Sequence, residues 1–133
     1  RISLAIQVAT VGGGALPTLV FDEVDAGIGG GVAEIVGHKL RALAEAGHQV
    51  LCVTHLAQVA AQAHRHLSVS KATEGAVTRV AIEGLDEGGR VDELARMLGG
   101  VEITAQTRAH AREMLERARG DGAPAAARAR GGE

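Results

Sequence analysis

Apolar residues recur at helical spacing at Ile2, Ala5, Ile6 and Ala9, until Gly12, Gly13 and Gly14 break the pattern ahead of Pro17. Thr18 to Phe21 then forms a short apolar run between turn formers, which predicts a strand covered on both faces. The glycines between positions 27 and 31 lead into a second helix, whose Val32, Ile35, Val36, Leu40 and Leu43 make one apolar stripe ending near Gly47. Gln49 to Thr54 repeats the buried-strand pattern, and a short helix is expected from about Ala57 to Ala63. Strand, helix, strand in this order predicts a parallel pair with a right-handed crossover.

Further along, HLSVSK and AVTRVAIEGL read as two strands joined through Thr73, Glu74 and Gly75, an antiparallel hairpin at a sheet edge. Val91, Leu94, Ala95 and Leu98 define a helix closed by Gly99 and Gly100. Another helix carries Ala111, Met114, Leu115 and Ala118, with Thr104 as its expected N-cap. Residues 120–133 are rich in Gly, Ala and Arg without apolar periodicity and are expected to be a flexible tail, so residues 1–119 make the folded part. The predicted class is α/β, a mainly parallel sheet flanked by helices, with an antiparallel edge hairpin and terminal helices.

Composition narrows this picture. The chain has 133 residues and is 46% apolar, enough for one domain with a core. Phe21 is its only aromatic residue, which argues against base stacking, and a formal charge of -2 gives no footprint of a dedicated nucleic-acid module. Cys52 is the single cysteine and cannot form an internal disulfide, and no apolar run is long enough to span a bilayer. A cytoplasmic protein is expected. Arg1 opens into a helical pattern with neither initiator Met nor cap, which predicts a fragment.

The chemistry is concentrated where the two predicted parallel strands end. Such strands finish at one edge, so Asp22 and Glu23 should lie near Thr54 and His55, at the rim where open α/β sheets bind ligands. Paired carboxylates there are costly to desolvate unless neutralised, and no Lys or Arg lies close in sequence to do it. Mg²⁺ would resolve this, since it binds through few carboxylates, keeps waters and shares its shell with substrate phosphates. One acid would serve the hydrated metal while the other activates water, and His55 would donate to a phosphate oxygen. Acids also cap helices at strand ends, and a lone His after a strand is commonly an ordinary one, so the pairing of the two strand ends carries the argument.

Other motifs fail on spacing or type. Zinc at Cys52, His55, His64 and His66 lacks a second cysteine. A dinucleotide fingerprint at Gly27 and Gly29 would need a small residue where Val32 stands, and Gly37 is followed by His38 where a phosphate loop needs Lys. The chain thus carries the metal-and-water half of a nucleotide hydrolase without the phosphate-gripping half. Arg117, Arg119, Arg128 and Arg130 are read as a solvated face and tail rather than phosphate contacts.

TLVFDEVDAGIGG, QVLCVTHLAQVAA, LSVSK and VDELARMLGG, in this order, closely resemble the carboxyl-terminal part of the RecN family of bacterial DNA-repair proteins, SMC-like members of the ABC ATPase superfamily. The resemblance covers Arg1 to about Arg119 and implies half of an ATPase head. Its phosphate loop would lie in an absent amino-terminal half, beyond a long coiled coil, so this fragment alone should be inactive. By position Asp22 resembles the Walker B acid holding Mg²⁺ through water, and Glu23 the catalytic base. Asp25 to Gly29 resembles the D-loop, with Asp25, Gly27 and Gly29 at the nucleotide, and His55 the switch histidine. The implied cofactors are ATP and Mg²⁺. Implied partners are the amino-terminal lobe, a second head in an ATP-dependent homodimer, and DNA through the full-length protein, with no membrane. The implied setting is cytoplasmic and nucleoid-associated, and the implied role is recombinational repair of double-strand breaks. Many relatives carry Ser where Gly29 stands and Pro where Ala57 stands. Two rival readings remain open at the level of sequence: another ABC branch such as a transporter subunit, and a non-catalytic dimerisation or interaction module.

Overall fold

The computed structural model describes residues 17–22, 27–99 and 101–121. The amino-terminal helix pattern, Glu23, Asp25 and most of the Ala/Arg-rich end lie outside the described residues. Among the described residues eight elements follow in order: β1 (Thr18–Asp22), α1 (Gly30–Glu45), β2 (Gln49–Val53), α2 (Ala57–Ala60), β3 (Leu67–Glu74), β4 (Val77–Gly84), α3 (Glu87–Gly99) and α4 (Ala105–Asp121).

β1 and β2 pair in parallel, with Thr18 opposite Gln49 and Asp22 opposite Val53. In β1 burial alternates residue by residue, as it must when side chains point to opposite faces of a strand. Leu19 and Phe21 pack with Ala33, Val36, Leu40 and Leu43 of α1 and with Val59 of α2. Val20, Leu51 and Val53 are exposed, so only one face of this described pair is covered by helices, where both had been expected. Continuous apolar character identified the strand but could not say what would cover its second face.

α1 presents a different stripe from the expected one. Ala33, Val36, Gly37, Leu40 and Leu43 are buried, whereas Val32 and Ile35 remain exposed. The buried set keeps i, i+3, i+4 spacing and places small residues against α2. A Cβ at Gly37 would lie 2.8 Å from Gln62 Cγ, 3.1 Å from the Gln58 carbonyl oxygen and 3.3 Å from Val59 Cα. Close approach of α1 and α2 therefore selects the face, ahead of the bulk of Val32 and Ile35.

The antiparallel hairpin is present, with Leu67 opposite Gly84 and Glu74 opposite Val77, and Gly75 supplies the positive φ of its turn. It forms a two-stranded sheet of its own among the described residues, closed at its base by Leu85 N–H donating to the His66 carbonyl at 2.9 Å. α3 begins at a cap the sequence reading missed: Asp86 Oδ1 accepts from Gly89 N–H at 2.7 Å. Thr104 is the expected cap of α4, and it exchanges hydrogen bonds with Thr107, each backbone N–H donating to the other's hydroxyl oxygen.

Among the described residues two clusters form the core. One joins β1 to α1 and α2, and the other joins Ala57 and Ala60 of α2 and Ala61 just beyond it to Val91, Leu94 and Ala95 of α3 and Ala111 and Leu115 of α4. The short α2 contributes to both, so one turn of helix ties the parallel strands to the helical end. Among the described residues no helix is long and apolar enough to cross a membrane.

Candidate functional site

The parallel register decides what the strand ends bring together. Asp22 is the last residue of β1 and lies opposite Val53, the last of β2, so Thr54 and His55 continue from the same edge. Asp22 shares its strand parity with Thr18 and Val20 and is exposed on the face away from α1. The loop from β1 to α1 departs from this edge and contains Gly27 and Gly29. Gly27 has φ 77°, in the left-handed region that a side chain rarely adopts. Gly29 is the N-cap of α1, with extended backbone and open space around its Cα. Glu23 and Asp25 lie outside the described residues.

Local chemistry holds His55 at the rim. Thr54 Oγ1 accepts from Leu56 N–H at 3.0 Å, a tight side-chain turn that carries the chain out of β2. Leu56 packs beside the sheet cluster and Ala57, buried at the start of α2, packs in the other. His55 is thus exposed between a strand and a helix that are both anchored. α2 starts at the expected residue but is shorter, ending at Ala60 before a turn.

Basic side chains the sequence reading passed over fix the other end of α2. Arg41 Nη1 donates to the Gln62 carbonyl at 2.6 Å, and Arg90 Nη2 donates to the Ala63 carbonyl at 2.8 Å and the Ala60 carbonyl at 3.4 Å. These guanidiniums satisfy carbonyls left open where the helix ends. A signal existed for Arg90, one residue before the apolar Val91 on the buried face of α3, yet a charged residue there reads as solvated. Arg90 is held below the usual arginine range by burial first, then by the charges of Arg119 and Arg41. His66 is lowered by burial and by Arg90, partly opposed by Glu93.

The zinc arrangement is not formed. Among the described residues no group of three or more His, Cys, Asp or Glu side chains could hold a metal ion together, and Cys52 is half-buried in the parallel pair opposite Phe21. Arg117 and Arg119 occupy the exposed surface as expected, pairing with Glu113 at 2.8 Å and Glu87 at 2.7 Å.

No protein-family model matches the chain. Sequence similarity nevertheless extends over most of it. The DNA repair protein RecN of Xylella fastidiosa strain Temecula1 is 57% identical over 116 residues, which is 87% of this chain and 21% of that protein. This chain is a RecN-family sequence. RecN of Streptomyces coelicolor is 50% identical over 121 residues, 91% of this chain and 21% of the relative. RecN of Bacillus subtilis is 39% identical over 118 residues, 89% and 20% respectively. The chain therefore spans about a fifth of the length of these RecN relatives. A solved structure from work on ATP-driven dimerization and DNA-stimulated activation of SMC ATPases superimposes with a TM-score of 0.58 at 19% identity, covering 74% of this chain and 58% of the other. That likeness shows the fold to be of the SMC ATPase head type.

Proposed function

We propose that this chain supplies the water- and metal-handling part of an SMC-like ATPase head acting in DNA repair. The observation that supports this most directly is the parallel register, which sets Asp22 and the Thr54–His55 step at one carboxyl edge. RecN similarity and the SMC head fold point the same way.

The donor chemistry fits hydrated Mg²⁺: an exposed carboxylate at an open rim offers a hard oxygen while leaving room for water and phosphate. Asp22 would hold the ion through water, and when bound it would neutralise phosphate charge. Glu23 accepts the proton of the attacking water, and His55 donates a hydrogen bond to the transferring phosphate. Asp25, Gly27 and Gly29 form the loop against the nucleotide. The phosphate-gripping loop belongs to the amino-terminal lobe of the same protein, and a second head completes the ATP-dependent homodimer. The substrate is ATP, the context is double-strand break repair on DNA, and this part by itself does not turn ATP over.

Steady-state hydrolysis and Mg-ATP binding by the whole protein test the reading together. Glu23→Gln abolishes turnover and spares binding, whereas Asp22→Ala loses Mg-dependent binding. Undiminished turnover in Glu23→Gln removes the proposed base. Mg-ATP binding unaffected by Asp22→Ala removes the proposed metal-holding role of Asp22, and no Mg-ATP binding by the whole protein would favour the non-catalytic interaction module.

A further inference from the structure

Beyond the opposite end of α2 from His55, a pocket of about 230 Å3 lies where α1, the residues after α2, α3 and α4 meet. Arg41, His64, Arg90 and Arg119 line it, and its remaining lining residues are two alanines and a leucine, with no carboxylate among the described residues that form its wall. The nearest neutralising acids sit outside: Glu45 accepts from Arg41 Nε at 3.1 Å and lies 3.7 Å from His64 Nε2, and Glu87 accepts from Arg119 Nη1 at 2.7 Å. Glu116 also acts on Arg119 from outside the wall, so the surrounding carboxylates offset the cations, but none of them enters the pocket, whose charged lining is entirely basic.

Arg90 is the decisive side chain. It is only 8% exposed, and its Nε is buried without a hydrogen-bond partner. A buried unpaired donor on a charged group is costly, and because Arg90 Nε is shielded from solvent, contact with a pocket ligand falls to the other guanidinium donors. Repulsion from Arg41 and Arg119 adds to that cost, as the lowered pKa of Arg90 reflects. Each guanidinium has more N–H donors than its protein partners use. Planar forks converging from three helices suit an oxyanion, and arginine favours phosphate and carboxylate for this reason. The volume accommodates a phosphate group, and no Phe, Tyr or Trp lines the pocket.

We propose that this pocket is a phosphate-binding site, in which Arg41, Arg90 and Arg119 hold the oxyanion and His64 closes one side. The phosphate is either free or part of a nucleic-acid backbone. The site uses none of the strand-end residues, so it stands or falls independently of them.

Titration of the full chain by amide and arginine-side-chain NMR tests it, with inorganic phosphate as one probe, a short DNA duplex as the other, and chloride at matched ionic strength as control. Phosphate is expected to shift the Ala61, Ala63 and His64 amides and the Arg90 guanidinium signals saturably, where chloride does not. Arg119→Ala, at an exposed position, should weaken binding roughly tenfold, the loss expected for one charged hydrogen bond. Arg117→Ala, outside the pocket, should leave it unchanged. A response to duplex alone also supports the site and identifies the phosphate as a backbone one. Absence of saturable shifts with both probes overturns the proposal, as does an equal response to chloride or full affinity in Arg119→Ala.

Discussion

Asp22 lies directly opposite Val53 in the parallel pair, and His55 follows two residues beyond that rung. The carboxylate and the imidazole are therefore delivered by separate strands, and each can be removed without unpairing the other. This separability makes the proposed division of labour open to single substitutions.

His55 is the cleaner of the two to change, because it is exposed and Leu56 and Ala57 keep the turn in place. In the whole protein His55→Ala should lower kcat by roughly 100-fold or more, the range found when one donor to developing charge is lost, with nucleotide affinity little altered. Single-turnover hydrolysis and nucleotide binding measured side by side will show it. Equal rates in the two proteins would exclude contact between His55 and the transferring phosphate.

Packing of α1 on α2 gives a pair of glycine substitutions with opposite signs. Replacing Gly within a helix by Ala ordinarily stabilises by up to about 1 kcal/mol. At Gly31 nothing lies within 4 Å of the added carbon, so Gly31→Ala should raise stability by some part of that. At Gly37 the new Cβ meets buried Gln62 at 2.8 Å and the Gln58 and Val59 backbone just beyond, and overpacking of this kind costs about 1–3 kcal/mol. Gly37→Ala should be destabilising on balance and Gly37→Val more so. Urea denaturation of the three variants decides the matter, and a Gly37→Ala protein as stable as Gly31→Ala would mean the helices are not in close contact.

How much of this could be read beforehand differs by element. The parallel pairing of β1 and β2 and their shared edge were legible because two short apolar runs lead into chemically distinctive residues, Asp22 and His55, whereas the residue-by-residue register was not. Thr104 was legible as a cap because its hydroxyl precedes an apolar period at the right offset. The face of α1 was not, since Val32 and Ile35 outweigh Ala33 and Gly37 on any hydrophobic scale while close helix contact prefers the small pair. Arg41 and Arg90 were missed for a related reason: their partners are backbone carbonyls at the end of α2, and a carbonyl has no signature in a sequence.

Gly29 offers a gain rather than a loss. As the N-cap of α1 it has φ -89° and ψ 172°, values open to any residue, with no side-chain cap and nothing near its Cα. Gly29→Ser should supply a hydroxyl acceptor to the first turn and stabilise by a few tenths of a kcal/mol. A small rise in the urea midpoint with unchanged slope is the expected result. A fall would show that the rim around the cap is more crowded than the open space at Gly29 indicates.

His66 makes stability depend on pH in a defined direction. Its Nδ1 is buried without a partner, and burial together with the Arg90 charge holds its pKa below 6.5, against the weaker pull of Glu93. The unfolded chain therefore binds a proton at a pH where the folded chain still excludes it. In that window stability rises with pH, so the contribution of His66 is complete above about 6.5 and is lost progressively as the pH falls from there toward its folded value. Unfolding free energies at about pH 8 and about pH 6 should differ in the wild type in favour of the higher pH, with both points above the range where carboxylates titrate. In His66→Gln that difference should shrink, because glutamine carries no proton to gain. An undiminished pH dependence in the variant would place the titrating group elsewhere and leave His66 as a packing residue only.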